Sequence, residues 1–214
     1  MSAKPETPII RQLSLPDNRL LAYLLDDSPQ DAPVVLLSNP LCTNIAVWDH
    51  IVPVLNHAGL RTLRYDQPGH GDSSAPADLT TTTFDSMVED VAYLLDALGI
   101  PKLWAWIGVS MGAAAGIFFA TSHPGVVQKL VVCDTITCSP ANAGEAVCVV
   151  GEKDANLPRT MEDMRGQIEE GFREAGKAGK VELVVVPDAG HVCFVDGLEE
   201  FVRLIPRFIQ AEKK

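Results

Sequence analysis

Gly108-Val109-Ser110-Met111-Gly112 reads G-x-S-x-G, a spacing that suits a serine nucleophile held on a tight turn. The pentapeptide alone is a weak pointer, and its setting carries more. The apolar run "LWAWI" leads straight into it, and "GAAAG" follows as the start of a helix rich in small residues. A strand that turns directly into a helix is the setting of a nucleophile elbow. The nucleophile's backbone is strained there, and a side chain two residues before or after it would crowd the strand and the helix. Gly108 and Gly112 remove that crowding, while the first helical amides face developing negative charge. The bland alternative is a serine that only caps the helix after a buried strand.

A serine needs a base, and five histidines are available. His191 stands in "VVVPDAGHVCF", just past the last apolar strand, at the C-terminal sheet edge where catalytic groups of open α/β sheets collect. His50 and His57 fall on the first helix and His123 ends the helix after Ser110, all read as surface or capping residues. His70, in "DQPGHGDSS", holds its loop or touches substrate. A carboxylate should orient the imidazole and stabilise its cation. Asp154 follows the strand "AVCVVGE" and gives the order Ser, Asp, His. Asp134, at the end of the preceding strand, is the rival, and Asp188 is a third candidate. Asp66 is read as tying down its own loop.

The elements that must position these residues follow from apolar patterning. Residues 9 to 25 read as an antiparallel hairpin around "PDN". "PVVLLS", "RTLRYD", "KLWAWIG", "KLVVCDTI", "AVCVVGE" and "VELVVVP" read as strands. Helical spacing appears in "TNIAVWDHIVPVLNHAG", in "TTFDSMVEDVAYLLDALGI", after Ser110, in "LPRTMEDMRGQIEEGFREAG" and in "GLEEFVRLIPRFI". A hairpin followed by strand and helix in alternation predicts one open, mostly parallel α/β sheet with an antiparallel edge and helices on both faces. No linker divides the chain, so residues 1–214 are expected to form a single domain.

The 214 residues carry a net charge of −11, which argues against nucleic-acid and anionic-membrane partners. No apolar run is long enough to span a bilayer, and "MSAKPETPII" has no stretch suited to a secretory signal. Five scattered cysteines without C-x-x-C spacing read as free thiols of a reducing cytoplasm. No His/Asp/Glu set has metal-ligand spacing and no glycine loop cradles phosphate, so neither metal nor cofactor is expected.

"LLSNPLCTNIAVWD", "RYDQPGHGDSS", "IGVSMGAAAG", "VVGEKDANLP" and "PDAGHVCFVDGLEEF", in that order, resemble the α/β-hydrolase superfamily along nearly the whole chain. The first stretch is similar in particular to 3-oxoadipate enol-lactonases. The resemblance implies Ser110 as nucleophile, His191 as base, Asp154 as acid, and an oxyanion hole from the N–H of Met111 and one from the "SNPLC" loop. Pro40 has no N–H to give, which leaves Leu41. The implied activity is hydrolysis of a small-molecule carboxylic ester or lactone. A C–C bond hydrolase or thioesterase would use the same triad, and a catalytically dead scaffold for binding or dimerisation would keep the fold alone.

The chain departs from that pattern at one place. Capped relatives insert a helical lid between the strands "KLVVCDTI" and "AVCVVGE", near 138–145, and here "PANAG" is almost all that lies between. The expectation is a lidless core with an open site and broad specificity. One sheet face would lie bare there unless a helix slides across it or a second copy in a homodimer covers it.

Overall fold

The computed structural model describes residues 9–26, 29–135, 145–155, 157–174 and 181–210. Strands β1 (Arg11–Ser14) and β2 (Leu20–Leu25) pair antiparallel. Asn18 turns the chain between them with φ 68°, a left-handed conformation that Asn tolerates. Six strands follow: β3 (Val34–Ser38), β4 (Arg61–Tyr65), β5 (Leu103–Val109), β6 (Val127–Cys133), β7 (Glu145–Gly151) and β8 (Val181–Val186). They form one eight-stranded sheet in the order β1-β2-β4-β3-β5-β6-β7-β8, parallel from β4 to β8. The expected α/β architecture with its antiparallel edge is the observed one.

This order places the site. The chain leaves β3 for β4 on one side and reaches β5 on the other, so Ser38 and Gly108 lie opposite each other at adjacent strand ends. The connections part at that point, where open α/β sheets bind ligands.

Side chains alternate between two cores. Leu36, Trp106, Leu130, Val132 and Cys148 face α2 (Phe84–Ala97), α3 (Met111–Ser122) and α4 (Leu157–Glu174). Leu37, Ile107, Val131 and Val149 face α1 (Val52–His57), α5 (Cys193–Asp196) and α6 (Leu198–Gln210). Helix α2 starts with a reciprocal capping box between Thr83 and Ser86. Among the described residues no helix is long and apolar enough to cross a membrane.

One expected helix is divided. Within "TNIAVWDHIVPVLNHAG" a 3₁₀ turn runs over Ile45–Trp48, capped by Asn44, and α1 begins only at Val52. Pro53 has no N–H for the Asp49 carbonyl, so a continuous helix is cut there. Trp48, Ile51 and Leu55 are nevertheless all buried, which is why the apolar spacing looked helical.

Both runs flanking the stretch where a cap was looked for are strands, paired in parallel from Lys129–Glu145 to Cys133–Val149. The stretch expected to lack the cap falls almost wholly outside the described residues. The sheet face that it raised doubt about is covered along β6 and β7. Leu130, Val132, Ala146, Cys148 and Val150 are buried in one cluster with Met161 and Met164 of α4. On β8, Val185 remains 43% exposed.

The carbonyl end of α6 is closed by two side chains from strands. Lys129, buried on β6, donates from Nζ to the Phe208 carbonyl at 2.9 Å and lies over the Trp104 and Phe208 rings. Trp104 Nε1 donates to the Ile209 carbonyl at 2.8 Å. Both meet C-terminal carbonyls that lack helical partners, where a cation also complements the helix dipole. Lys129→Ala is therefore expected to cost about 1–3 kcal/mol of stability in urea unfolding. Lys102→Ala, at an exposed position, should stay within about 0.5 kcal/mol.

Candidate active site

Ser110 links β5 to α3 with φ 51° and ψ −117° and makes no side-chain capping bond, so the capping alternative fails. This backbone is strained for a residue with a side chain, and the surroundings leave it no other course. The Ser110 amide donates to the Cys133 carbonyl at 2.9 Å. A Cβ on Gly108 would come 2.3 Å from the Gly112 carbonyl oxygen, and one on Gly112 would come 2.1 Å from that of Ser38. Trp106 Nε1 donates to the Gly112 carbonyl at 3.0 Å, holding the first turn of α3 against the sheet. Met111 opens that turn, so its amide has no intrahelical acceptor.

Asp154 follows β7 and His191 follows β8, and His191 Nδ1 and Asp154 Oδ2 are 2.7 Å apart. Asp154 is largely shielded and His191 half-exposed. No hydrogen bond joins His191 to Ser110, although both stand at the C-terminal edge of the sheet. Three strand spacings, about 14 Å, separate β8 from β5, so the His191 loop has to fold back across β7. It does: Lys153 N donates to the Ala189 carbonyl at 2.8 Å. A Cβ on Gly151 would fall 2.1 Å from the Gly190 carbonyl oxygen. The need for glycine at 151 was not anticipated, and a glycine closing a strand was its visible trace.

The two rival acids point elsewhere. Asp134 is buried and accepts from the Gly151 amide at 2.9 Å and the Cys193 amide at 3.3 Å. Burial pushes its carboxyl above the ordinary range, opposed by the hydrogen bonds that it accepts. Asp188 is exposed and pairs with Lys153 at 2.9 Å.

The loop after β3 rests on a buried polar network. Asn39 donates to the Tyr65 carbonyl at 3.1 Å and accepts from Trp48 Nε1 at 2.7 Å. Gln67 donates to the Asn39 carbonyl at 3.0 Å, and the Ser38 and Tyr65 hydroxyls lie 2.9 Å apart. Beyond it Leu41 is 58% exposed and Cys42 takes φ 63°. The Cys42 amide donates to His70 Nε2 at 3.1 Å, while His70 Nδ1 faces the Pro68 carbonyl at 3.0 Å. With a carbonyl on Nδ1 and an N–H on Nε2, the network assigns the proton to Nδ1. His70 thus holds a loop, that of Leu41 and Cys42. A cleft of about 490 Å³ lies beside it, lined by Asn44, Val47 and Gly69 among others.

Asp66 behaves as expected: it accepts from the Ile45 amide at 2.8 Å and the Asp72 amide at 3.0 Å, and burial pushes its carboxyl up. His50 and His57 are exposed, and His123 stacks on Phe119. Cys42 is an exposed free thiol, Cys133, Cys148 and Cys193 are buried free thiols, and Cys138 lies outside the described residues.

Residues 33–168 match the alpha/beta hydrolase fold family. The chain is 35% identical over 120 residues to a putative carbamate hydrolase, RutD, of Variovorax paradoxus, covering 56% of this chain and 44% of that protein. It is 33% identical over 116 residues to 3-oxoadipate enol-lactonase 2 of Acinetobacter baylyi, covering 54% and 40%. The chain thus spans under half the length of these relatives. Among solved structures, a hydrolase from Pseudomonas aeruginosa superposes with a TM-score of 0.80 at 22% identity, over 94% of this chain and 98% of that one. The enol-lactonase of Burkholderia xenovorans gives 0.78 at 20%, over 93% and 99%. At these identities the superpositions speak for the fold.

The elbow contact is open to a signed test. Gly112→Ala, forced against the Ser38 carbonyl, should destabilise the protein by about 1–3 kcal/mol. Gly166→Ala on α4, where an added Cβ meets nothing within 4 Å, should stabilise it by up to about 1 kcal/mol. Chemical denaturation of the two variants should show opposite signs.

Proposed function

The chain belongs to the alpha/beta hydrolase fold family, and on that premise we propose that it is a cofactor-independent serine hydrolase of carboxylic esters or lactones. The observation that carries the reading is the His191–Asp154 pair, 2.7 Å between Nδ1 and Oδ2, on the sheet edge where Ser110 stands on a strained turn. In the proposed cycle Ser110 Oγ attacks the carbonyl carbon while His191 Nε2 takes its proton. Asp154 holds the Nδ1–H and stabilises the imidazolium. The amides of Met111 and Leu41 receive the oxyanion. Collapse of the tetrahedral intermediate expels the alcohol, protonated by His191, and leaves an acyl-serine. Water, deprotonated by His191, then releases the acid. The missing Ser110–His191 hydrogen bond is compatible with this, since such bonds often tighten only around substrate.

The substrate class leans on the likeness to proteins named as an enol-lactonase and a putative carbamate hydrolase. The breadth leans on the sequence: eleven residues, 134–144, separate β6 from β7, which leaves no length for a helical cap. A pocket without a roof cannot reject bulk, so one small lactone and several bulky esters should show comparable kcat/KM.

Hydrolysis of p-nitrophenyl butyrate tests the reading directly. Ser110→Ala, matched to the parent for folding by circular dichroism, should lose at least about 10³-fold in kcat. Asp154→Asn should lose on the order of 10²–10⁴-fold. Equal background rates in parent and Ser110→Ala, with no labelling by a serine-directed phosphonate, would instead favour a non-catalytic binding scaffold.

A further inference from the structure

The proposed chemistry makes no use of Asp134, yet few groups at the sheet edge are so constrained. It follows β6 directly and takes φ 47°. Its own amide donates to the Val149 carbonyl at 3.0 Å, which fixes its backbone to β7. Its side chain is buried and its two oxygens serve different partners. Oδ1 accepts from the Gly151 amide at 2.9 Å, three residues before Asp154. Oδ2 accepts from the Cys193 amide at 3.3 Å, two residues after His191.

We propose that Asp134 is a positioning residue: by gripping the backbone beside both Asp154 and His191, it sets the imidazole against its carboxylate and keeps the His191 loop folded over β7 toward Ser110. The inference rests on the triad reading only for its effect on turnover. The loop needs such a grip, because β8 ends at the far edge of the sheet and His191 is half-exposed. Below Cys193, Phe194 stacks on Trp48 at 4.4 Å, so the same grip joins the loop to the core under β3. A carboxylate is the fitting group because it only accepts and offers lone pairs in several directions. Asparagine would keep one acceptor and turn an NH₂ toward the second amide, so one of the two anchors would be lost.

The test reads the pair itself. A proton held between His191 Nδ1 and Asp154 should give a downfield resonance in proton NMR, assigned by its absence in His191→Gln. In Asp134→Asn this resonance should vanish or broaden. On p-nitrophenyl butyrate, kcat should fall on the order of 10²-fold, as expected for a misplaced catalytic group, with KM changed less than about twofold. Cys193→Pro leaves the carboxylate and removes the N–H it grips together with the thiol that also hydrogen-bonds it, at the first position of α5, where proline is tolerated; it should give the same pair of effects. A folded variant of either kind that keeps both the resonance and the parental kcat overturns the proposal. Failure of the triad reading would show separately, as a Ser110→Ala variant as fast as the parent, and the resonance would still report on Asp134 in that event.

Discussion

The first turn of α3 rests on the bare backbone that leaves β3, with no room between them for a single methyl group. Most of the site's geometry follows from that contact. It sets the start of α3 against the backbone of Ser38 and Asn39, and the turn through Ser110 that leads into it takes a positive φ. Such strain persists only where the surroundings over-determine it, and here they do. The Ser110 amide is bound to β6, the Gly112 carbonyl to Trp106, and Gly116 lies so close to that indole that a Cβ would collide with it. The place of Ser110 is thus set by backbone atoms and one aromatic ring of its neighbours, and its own side chain is left uncommitted.

Parallel strands leave loops at their ends whose amides have no ladder to join. This protein meets that need with buried aspartates. Asp66 and Asp134 each accept two backbone amides. Desolvation raises both carboxyls, and the accepted hydrogen bonds oppose the rise. Burying such a group is costly unless it is fully bonded, so these residues act as connectors with fixed geometry. Asp154 differs in its surroundings alone: it is less enclosed and its carboxylate faces an imidazole. Aspartates at or just past the ends of three strands thus divide into connectors and a catalytic candidate by the partner each one meets.

That division explains what could be read from the residues in order. Runs such as "PVVLLS" and "KLWAWIG" are strands because burial on both faces demands continuous apolar character, and the pattern survives in one dimension. G-x-S-x-G was legible because both glycines are needed by a local turn. The choice between Asp154 and Asp134 was only a preference, since it depends on how the loop after β8 folds over β7. That is set by contacts between residues tens of positions apart, such as Gly151 with Gly190. His70 was open for the same reason. Its role depends on the Cys42 amide, which is 28 positions away in the chain. The divided helix at Ile45–His57 failed differently: one-sided burial produced a helical apolar period without a helical backbone.

The short connection between β6 and β7 is physically sufficient for what it must do. Eleven residues reach about 36 Å when extended, while recrossing a seven-residue strand takes about 23 Å. The cost of such economy would be exposed apolar surface at about 25 cal/mol per Å². Along β6 and β7 that cost is avoided, because α3 and α4 share one cluster with the inward side chains of both strands. What stays uncovered lies elsewhere. Leu41 and Val195 are 58% and 51% exposed, one in the loop after β3 and the other four residues past His191. Leu41 belongs to the loop after β3 and Val195 to α5, just past the His191 loop, and in the proposed reading the apolar surface left to solvent there is surface that an acyl chain would bury. In the proposed reading the same lack of a cap thus does two things: it loosens selection by size, and it leaves the substrate itself to supply part of the missing cover.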